Sequence, residues 1–101
     1  MSELVRGNIN FLRLLASTTA VQYRALVRSL TDGQRDTIRE VAQNFEAIPT
    51  PRSNFTRTHL LLLRALGAKR ISRKRLQQLL LANRVQYLHI LRSISDYLSQ
   101  L

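Results

Sequence analysis

Cysteine and tryptophan are missing from this chain of 101 residues, glycine occurs three times, proline twice and acidic residues only six times. Without cysteine, neither a disulfide nor a thiolate metal site can form, so the fold must be held by packing and hydrogen bonds. The glycines stand alone at positions 7, 33 and 67, which excludes a glycine-rich phosphate loop. So little glycine and proline leaves no low-complexity linker, and no repeat at solenoid spacing is present. No uncharged apolar run approaches the ~20 residues needed to span a bilayer. Arg6, Asn8, Asn10 and Arg13 interrupt the apolar N-terminus, which is therefore unlike a secretory signal. The expected setting is intracellular, nuclear or cytoplasmic, or the interior of a virion, and the Asn54-Phe55-Thr56 sequon is expected to be idle.

Catalytic side chains are equally scarce. His59 and His89 lie thirty residues apart with no Asp or Glu at ligand spacing, so each reads as a surface or partly buried histidine. Asp32, Asp36 and Glu40 recur every four residues along one helix face. Arg35 and Arg39 lie alongside, as on a solvated, ion-paired face rather than an acid–base pair. The expectation is a non-enzymatic protein with no cofactor and no metal.

Positive charge is what the chain has in excess. Sixteen cations against six acids give +10, and fourteen of the sixteen are arginine, the side chain suited to bidentate contact with phosphate or carboxylate. Residues 1–50 hold six arginines and five acids, net +1, whereas residues 51–101 hold ten Lys/Arg and only Asp96, net +9. Such asymmetry points to an anionic partner for the second half rather than to solubility alone.

The apolar pattern is helical almost throughout. At 45% apolar and 22% charged the composition is globular, and the length predicts one domain over 1–101. Ile9, Leu12, Leu15 and Ala16 mark a first helix, and Tyr23, Leu26, Val27 and Leu30 a second, introduced by the hydroxyls of Ser17-Thr18-Thr19. Thr31-Asp32-Gly33-Gln34 has the form of a capping box, opening a helix that buries Ile38, Val41, Ala42, Phe45 and Ile48. The proline-bearing stretch 49–54 reads as a stiff connector between two helical halves. Beyond it, "LLLLRAL" is apolar nearly all round, implying burial on more than one face, and Gly67 marks its end. Ser72 is the candidate N-cap of a helix carrying Leu76, Leu79 and Leu80, with Asn83 at its end. Tyr87, Leu91, Ile94 and Leu98 form the last stripe. The fold expected is a compact all-α bundle of five or six short helices, possibly oligomeric.

"KRISRKR", residues 69–75, packs five cations around one isoleucine and one serine. Cations in the first turn of a helix oppose its dipole by a few tenths of a kcal/mol each, about 0.3 or more per residue, where a sequence shaped for stability places Asp or Glu. Two readings stand: a grip on phosphate, or the solvated start of a helix. The candidate nucleic-acid-binding residues are Lys69, Arg70, Arg73, Lys74, Arg75 and Arg84. Arg52, Arg57 and Arg64 are candidate extensions. Tyr23, Tyr87 and Tyr97, the available stacking partners, suit core or rim positions better, so backbone contact without base reading is the expected mode. Lys69-Arg70-Ile71-Ser72 also resembles a site for basophilic protein kinases.

The segments "QYRALV" (22–27), "EVAQN" (40–44), "LRAL" (63–66), "KRISRKR" (69–75) and "LLL" (79–81) follow one another in this order. In them the chain resembles, over residues 9 to 91, the small basic helical proteins encoded by Polinton/Maverick-type elements and the related adintoviruses of animals. The Lys/Arg-Lys/Arg-Val/Ile-Ser-x-Lys-Lys/Arg pattern of that group matches Lys69, Arg70, Ile71, Ser72, Lys74 and Arg75. Two group features are replaced: the turn and long basic run by "EAIPTPRSNFTRTHLLLL", and the glycine-rich tail by "NRVQYLHIL". The resemblance implies a virion-associated or DNA-condensing role.

Two functions are therefore expected. The first is sequence-nonspecific binding of a DNA or RNA backbone, as in a core or packaging protein. The alternative is a protein–protein interaction or self-assembly module, a death-fold-like adaptor or a homo-oligomer in which the acidic face of one copy meets the basic block of another. Membrane binding ranks last, since residues 56–66 are too uniformly apolar for an interfacial helix.

Overall fold

The computed structural model of the protein describes residues 3–48 and 55–100, so the expected connector at 49–54, with Arg52 in it, lies outside the described residues. The described elements are all helical: α1 (Glu3–Gly7), α2 (Ile9–Ser17), α3 (Ala20–Arg28), α4 (Asp32–Gln43), a 3-10 turn (Phe45–Ala47), α5 (Arg57–Leu66), α6 (Arg73–Ala82), α7 (Arg84–Ser93) and α8 (Ser95–Ser99). No strand occurs among the described residues, and the all-α bundle is as expected. The count is higher because α1 precedes the first expected helix and the last run is divided. Asn8 (φ −118°, ψ 14°) separates α1 from α2, and Ile94 (φ −105°, ψ 10°) separates α7 from α8. At Ile94 the ladder persists, with Ile94 N–H on the Ile90 carbonyl at 3.2 Å and Leu98 N–H on the Ile94 carbonyl at 3.0 Å. That division is a bend rather than a turn.

Helix starts and stops follow local chemistry. Both arms of the Thr31–Gln34 capping box form: Gln34 N–H donates to Thr31 Oγ1 at 3.1 Å, and Thr31 N–H donates to Gln34 Oε1 at 3.0 Å. Thr19 caps α3 by accepting from Gln22 N–H at 3.3 Å. Asn44 and Asn83 end α4 and α6, so α4 stops short of Phe45 and Ile48, which the sequence places in it; Phe45 lies half-buried in the 3-10 turn and Ile48 follows it. Each asparagine turns its side-chain amide onto the carbonyl four residues back, Glu40 at 2.8 Å and Leu79 at 2.9 Å, competing with the backbone there.

Helix α5 occupies the middle, with α4, α6 and α7 against it, while α2 packs on α7, α3 on α6 and α1 on α4. Leu62, Leu63 and Leu66 of α5 are buried, each contributing about 2 kcal/mol of transfer free energy. Elements before and after the connector thus share one core, within a near-isometric body of 30 × 29 × 28 Å. Gly67 ends α5 with φ −84°, so no left-handed turn requires glycine there. The requirement is proximity: a Cβ would lie 3.1 Å from Gln43 N and 3.3 Å from the Ala42 carbonyl carbon. Gly67 lets the end of α5 approach the backbone of α4.

Tyr23 and Tyr87 are both buried, and Tyr97 lies at the rim. The Tyr23 hydroxyl donates to the Leu80 carbonyl at 2.8 Å, tying α3 to α6. The Tyr87 hydroxyl is buried and finds no hydrogen-bond partner among the described residues. Burial raises the ionisation of both phenols far above the usual range; the nearby Arg84 partly offsets this for Tyr23, and Tyr23 adds to it for Tyr87.

Candidate functional site

The basic block lies on the turn from α5 to α6. Its backbone is held from α4 by two side chains: Gln43 Nε2 donates to the Gly67 carbonyl at 2.8 Å, and Arg39 Nη2 to the Lys69 carbonyl at 2.6 Å. Ile71 is tucked against the core, which leaves Lys69 and Arg70 facing outward on either side of the turn. Ser72, extended at φ −74° and ψ 158°, caps α6 by accepting from Arg75 N–H at 3.1 Å. Arg73, Lys74 and Arg75 then form the exposed first turn of a ten-residue helix.

These five cations are not equivalent. Arg73 points back into the protein, where Nη1 donates to the Leu30 carbonyl at 3.1 Å and Nη2 pairs with Asp32. Its guanidinium thus sits between the Leu30 carbonyl of the α3–α4 turn and the carboxylate of Asp32, the first residue of α4. One turn further along α6, Gln77 Nε2 donates to the Val27 and Arg28 carbonyls at 3.0 and 3.2 Å. Gln77 thus closes the last two carbonyls of α3, and Arg73 that of Leu30 in the turn to α4. Lys69, Arg70, Lys74 and Arg75 are exposed, and among the described residues no ion pair engages their charged ends.

The other expected members stand apart. Arg84 opens α7, at the far end of α6 and about 15 Å along its axis from Ser72. It is half-buried, its guanidinium 5.7 Å from the centre of the Tyr23 ring, and its buried Nε has no hydrogen-bond partner among the described residues. Arg57 is exposed at the opposite end of α5 from the block. Arg64 is exposed one turn before Gly67, lining a surface depression of about 270 Å³ with Gln43, Phe45 and Glu46. A residue that sequence reasoning passed over is Arg28, exposed on α3, whose backbone the Gln77 contact brings beside the face of Lys74. It belongs to the half with a net charge of only +1, so no local charge signal marks it.

The acidic face is largely spent within the chain. Asp36 pairs with Arg35 at 3.1 Å and with Arg39 at 3.6 Å, and Asp32 takes Arg73. The two histidines meet: His59 and His89 stack with ring centres 4.5 Å apart and planes 12° from parallel. His59 Nδ1 accepts from Thr56 N–H at 3.0 Å, capping α5, so its proton resides on Nε2. Phe55 meets His59 edge-on at 6.4 Å and Phe45 at 5.7 Å, extending a ring cluster from the 3-10 turn to α7. Burial, and then His89, lower the basicity of His59.

The class defined so far is an all-α protein with a turn carrying four exposed cations that no ion pair engages among the described residues, where also no helix is long and apolar enough to cross a membrane. Compared with known proteins, the chain matches no family model, no curated protein and no solved structure.

Proposed function

We propose that this protein binds the phosphate backbone of DNA or RNA without sequence preference, through Lys69, Arg70, Lys74 and Arg75. The observation that carries the reading is the contrast within the block. Arg73, though exposed, is engaged by Asp32 and the Leu30 carbonyl, while among the described residues no ion pair engages its four exposed neighbours, on a turn held by Arg39 and Gln43. Such cations neutralise phosphates and release their counterions, which yields affinity but no base discrimination. The burial of Tyr23 and Tyr87 favours backbone contact over stacking on bases. Arg28 extends the surface from α3, whereas Arg84, set against Tyr23, contributes less.

A core or packaging role in a virus-like element is the biological setting proposed, supported by the short motifs shared with Polinton/Maverick-type proteins. The self-assembly reading is the less favoured, because two members of its acidic face, Asp32 and Asp36, pair with arginines of their own chain. Charge reversal at Arg70 and Lys74 tests the proposal. Binding to duplexes of unrelated sequence is expected to weaken for all of them alike. Unchanged affinity, or loss for one sequence only, would overturn it.

A further inference from the structure

We propose that Ser72 is a phosphorylation site that switches the basic turn off while strengthening the fold. The inference rests on the phosphate-binding reading for its consequence, though not for the modification itself. An ATP-dependent serine kinase with a carboxylate-lined substrate cleft needs an exposed hydroxyl, extended backbone and accessible cations just N-terminal to it. Ser72 is exposed in extended conformation, between α5 and α6, with Lys69 and Arg70 outward three and two residues before it. The only side chain of 69–75 that is shielded by the core is Ile71, so the turn presents its cations and its hydroxyl together.

In the transfer, Ser72 Oγ forms a bond to the γ-phosphorus of ATP as the bond from that phosphorus to the β,γ-bridging oxygen breaks. ADP leaves with the bonding pair, and the hydroxyl proton passes to the kinase's carboxylate base. The product places about −1.5 to −2 charges among Lys69, Arg70, Lys74 and Arg75. It also keeps an oxygen on the Arg75 N–H that Ser72 already caps, now at the positive end of the α6 dipole. Modification therefore moves two quantities in opposite senses, raising thermal stability and lowering phosphate affinity. A merely disruptive modification would lower both.

The experiment treats the intact protein with ATP and a basophilic serine kinase, locates phosphate by mass spectrometry, and measures melting and binding to a fluorescein-labelled duplex. Ser72→Asn, which retains a capping acceptor without a phosphorylatable hydroxyl, is the control. Expected are one phosphate on Ser72, a Tm higher by about 2–6 °C, and a salt slope for binding reduced from about −4 to about −2. Ser72→Asn should take up no phosphate at this turn and bind as the unmodified protein does. Absence of phosphate at Ser72, a lowered Tm, or unchanged binding after modification would each overturn the proposal. If the unmodified protein binds no duplex, the phosphate-binding reading fails, while mass and melting still report on the site.

Discussion

Arg73 and its neighbours should respond to mutation in opposite ways, and the contact with Asp32 sets the sizes. The Arg73 and Asp32 side chains are 43% and 74% exposed, so their ion pair is screened and worth about 0.5 kcal/mol. The hydrogen bond from Arg73 to the Leu30 carbonyl at 3.1 Å adds about 1 kcal/mol. Removing a cation from the start of α6 returns a few tenths, about 0.3 kcal/mol. Arg73→Ala should therefore destabilise by about 1 kcal/mol, a Tm fall of about 4–8 °C, and leave the salt slope of nucleic-acid binding nearly unchanged. Lys74→Ala should do the reverse, with little change in Tm and a slope shallower by about one. Asp32→Asn is the sharper test. It costs about 0.5–1 kcal/mol through the lost ion pair and the lost charge at the start of α4. It also leaves the Arg73 charge without its carboxylate, though still bonded to Leu30, so binding should tighten and the slope steepen by up to about one, a gain that the Arg73→Ala/Asp32→Asn double variant abolishes. Thermal melts and anisotropy titrations on the four proteins measure both quantities. Equal losses of affinity in Arg73→Ala and Lys74→Ala, with both folds equally stable, would refute the reasoning.

Other consequences concern the core and the histidines. Tyr23→Phe removes a hydroxyl bonded to Leu80 and strands that carbonyl, so chemical denaturation should show a loss of about 1–2 kcal/mol; Tyr87→Phe removes an unpartnered buried hydroxyl and should be neutral or stabilising. Gly67→Ala should destabilise by about 1–2 kcal/mol, since the added carbon meets backbone of α4 rather than a flexible side-chain end; an unchanged denaturation midpoint would contradict this. His59 titrates below its unfolded value, so the unfolded chain takes up its proton first and stability falls as pH drops from about 6.5 downward. Protonation at Nδ1 also ends its acceptance from Thr56 N–H. His59→Gln keeps an acceptor at that position without titrating, and melts between neutral and mildly acidic pH should show a flatter profile for it.

The parts of the fold legible in the sequence are those set by neighbours along the chain. The stripes of α3, α4 and α6, the Thr31–Gln34 box, the Ser72 cap and the stop at Asn83 all depend on residues within one or two turns. The break at Ile94 is hidden because the stripe of Tyr87, Leu91, Ile94 and Leu98 runs through it, and α1 is not legible because Arg6, Asn8 and Asn10 interrupt the apolar pattern before Ile9. Gly67 marks the end of α5 correctly, but for close approach to α4 rather than for handedness. In the candidate site, the cluster of cations could be read directly from residues 69–75. The fate of Arg73 could not, since Leu30 and Asp32 lie about forty residues away and only the α3–α6 packing brings them near. The same holds for Arg28 beside α6 and for the stacking of His59 on His89, which no periodicity encodes.

The most direct measurement is a salt titration of binding between the protein and short duplexes of unrelated sequence. Four exposed cations predict a fall in log K with log salt of slope about −4, a loss of about 200-fold between roughly 50 and 200 mM, the same for every sequence. No binding at the lowest salt, or binding whose strength ignores salt, would contradict the account.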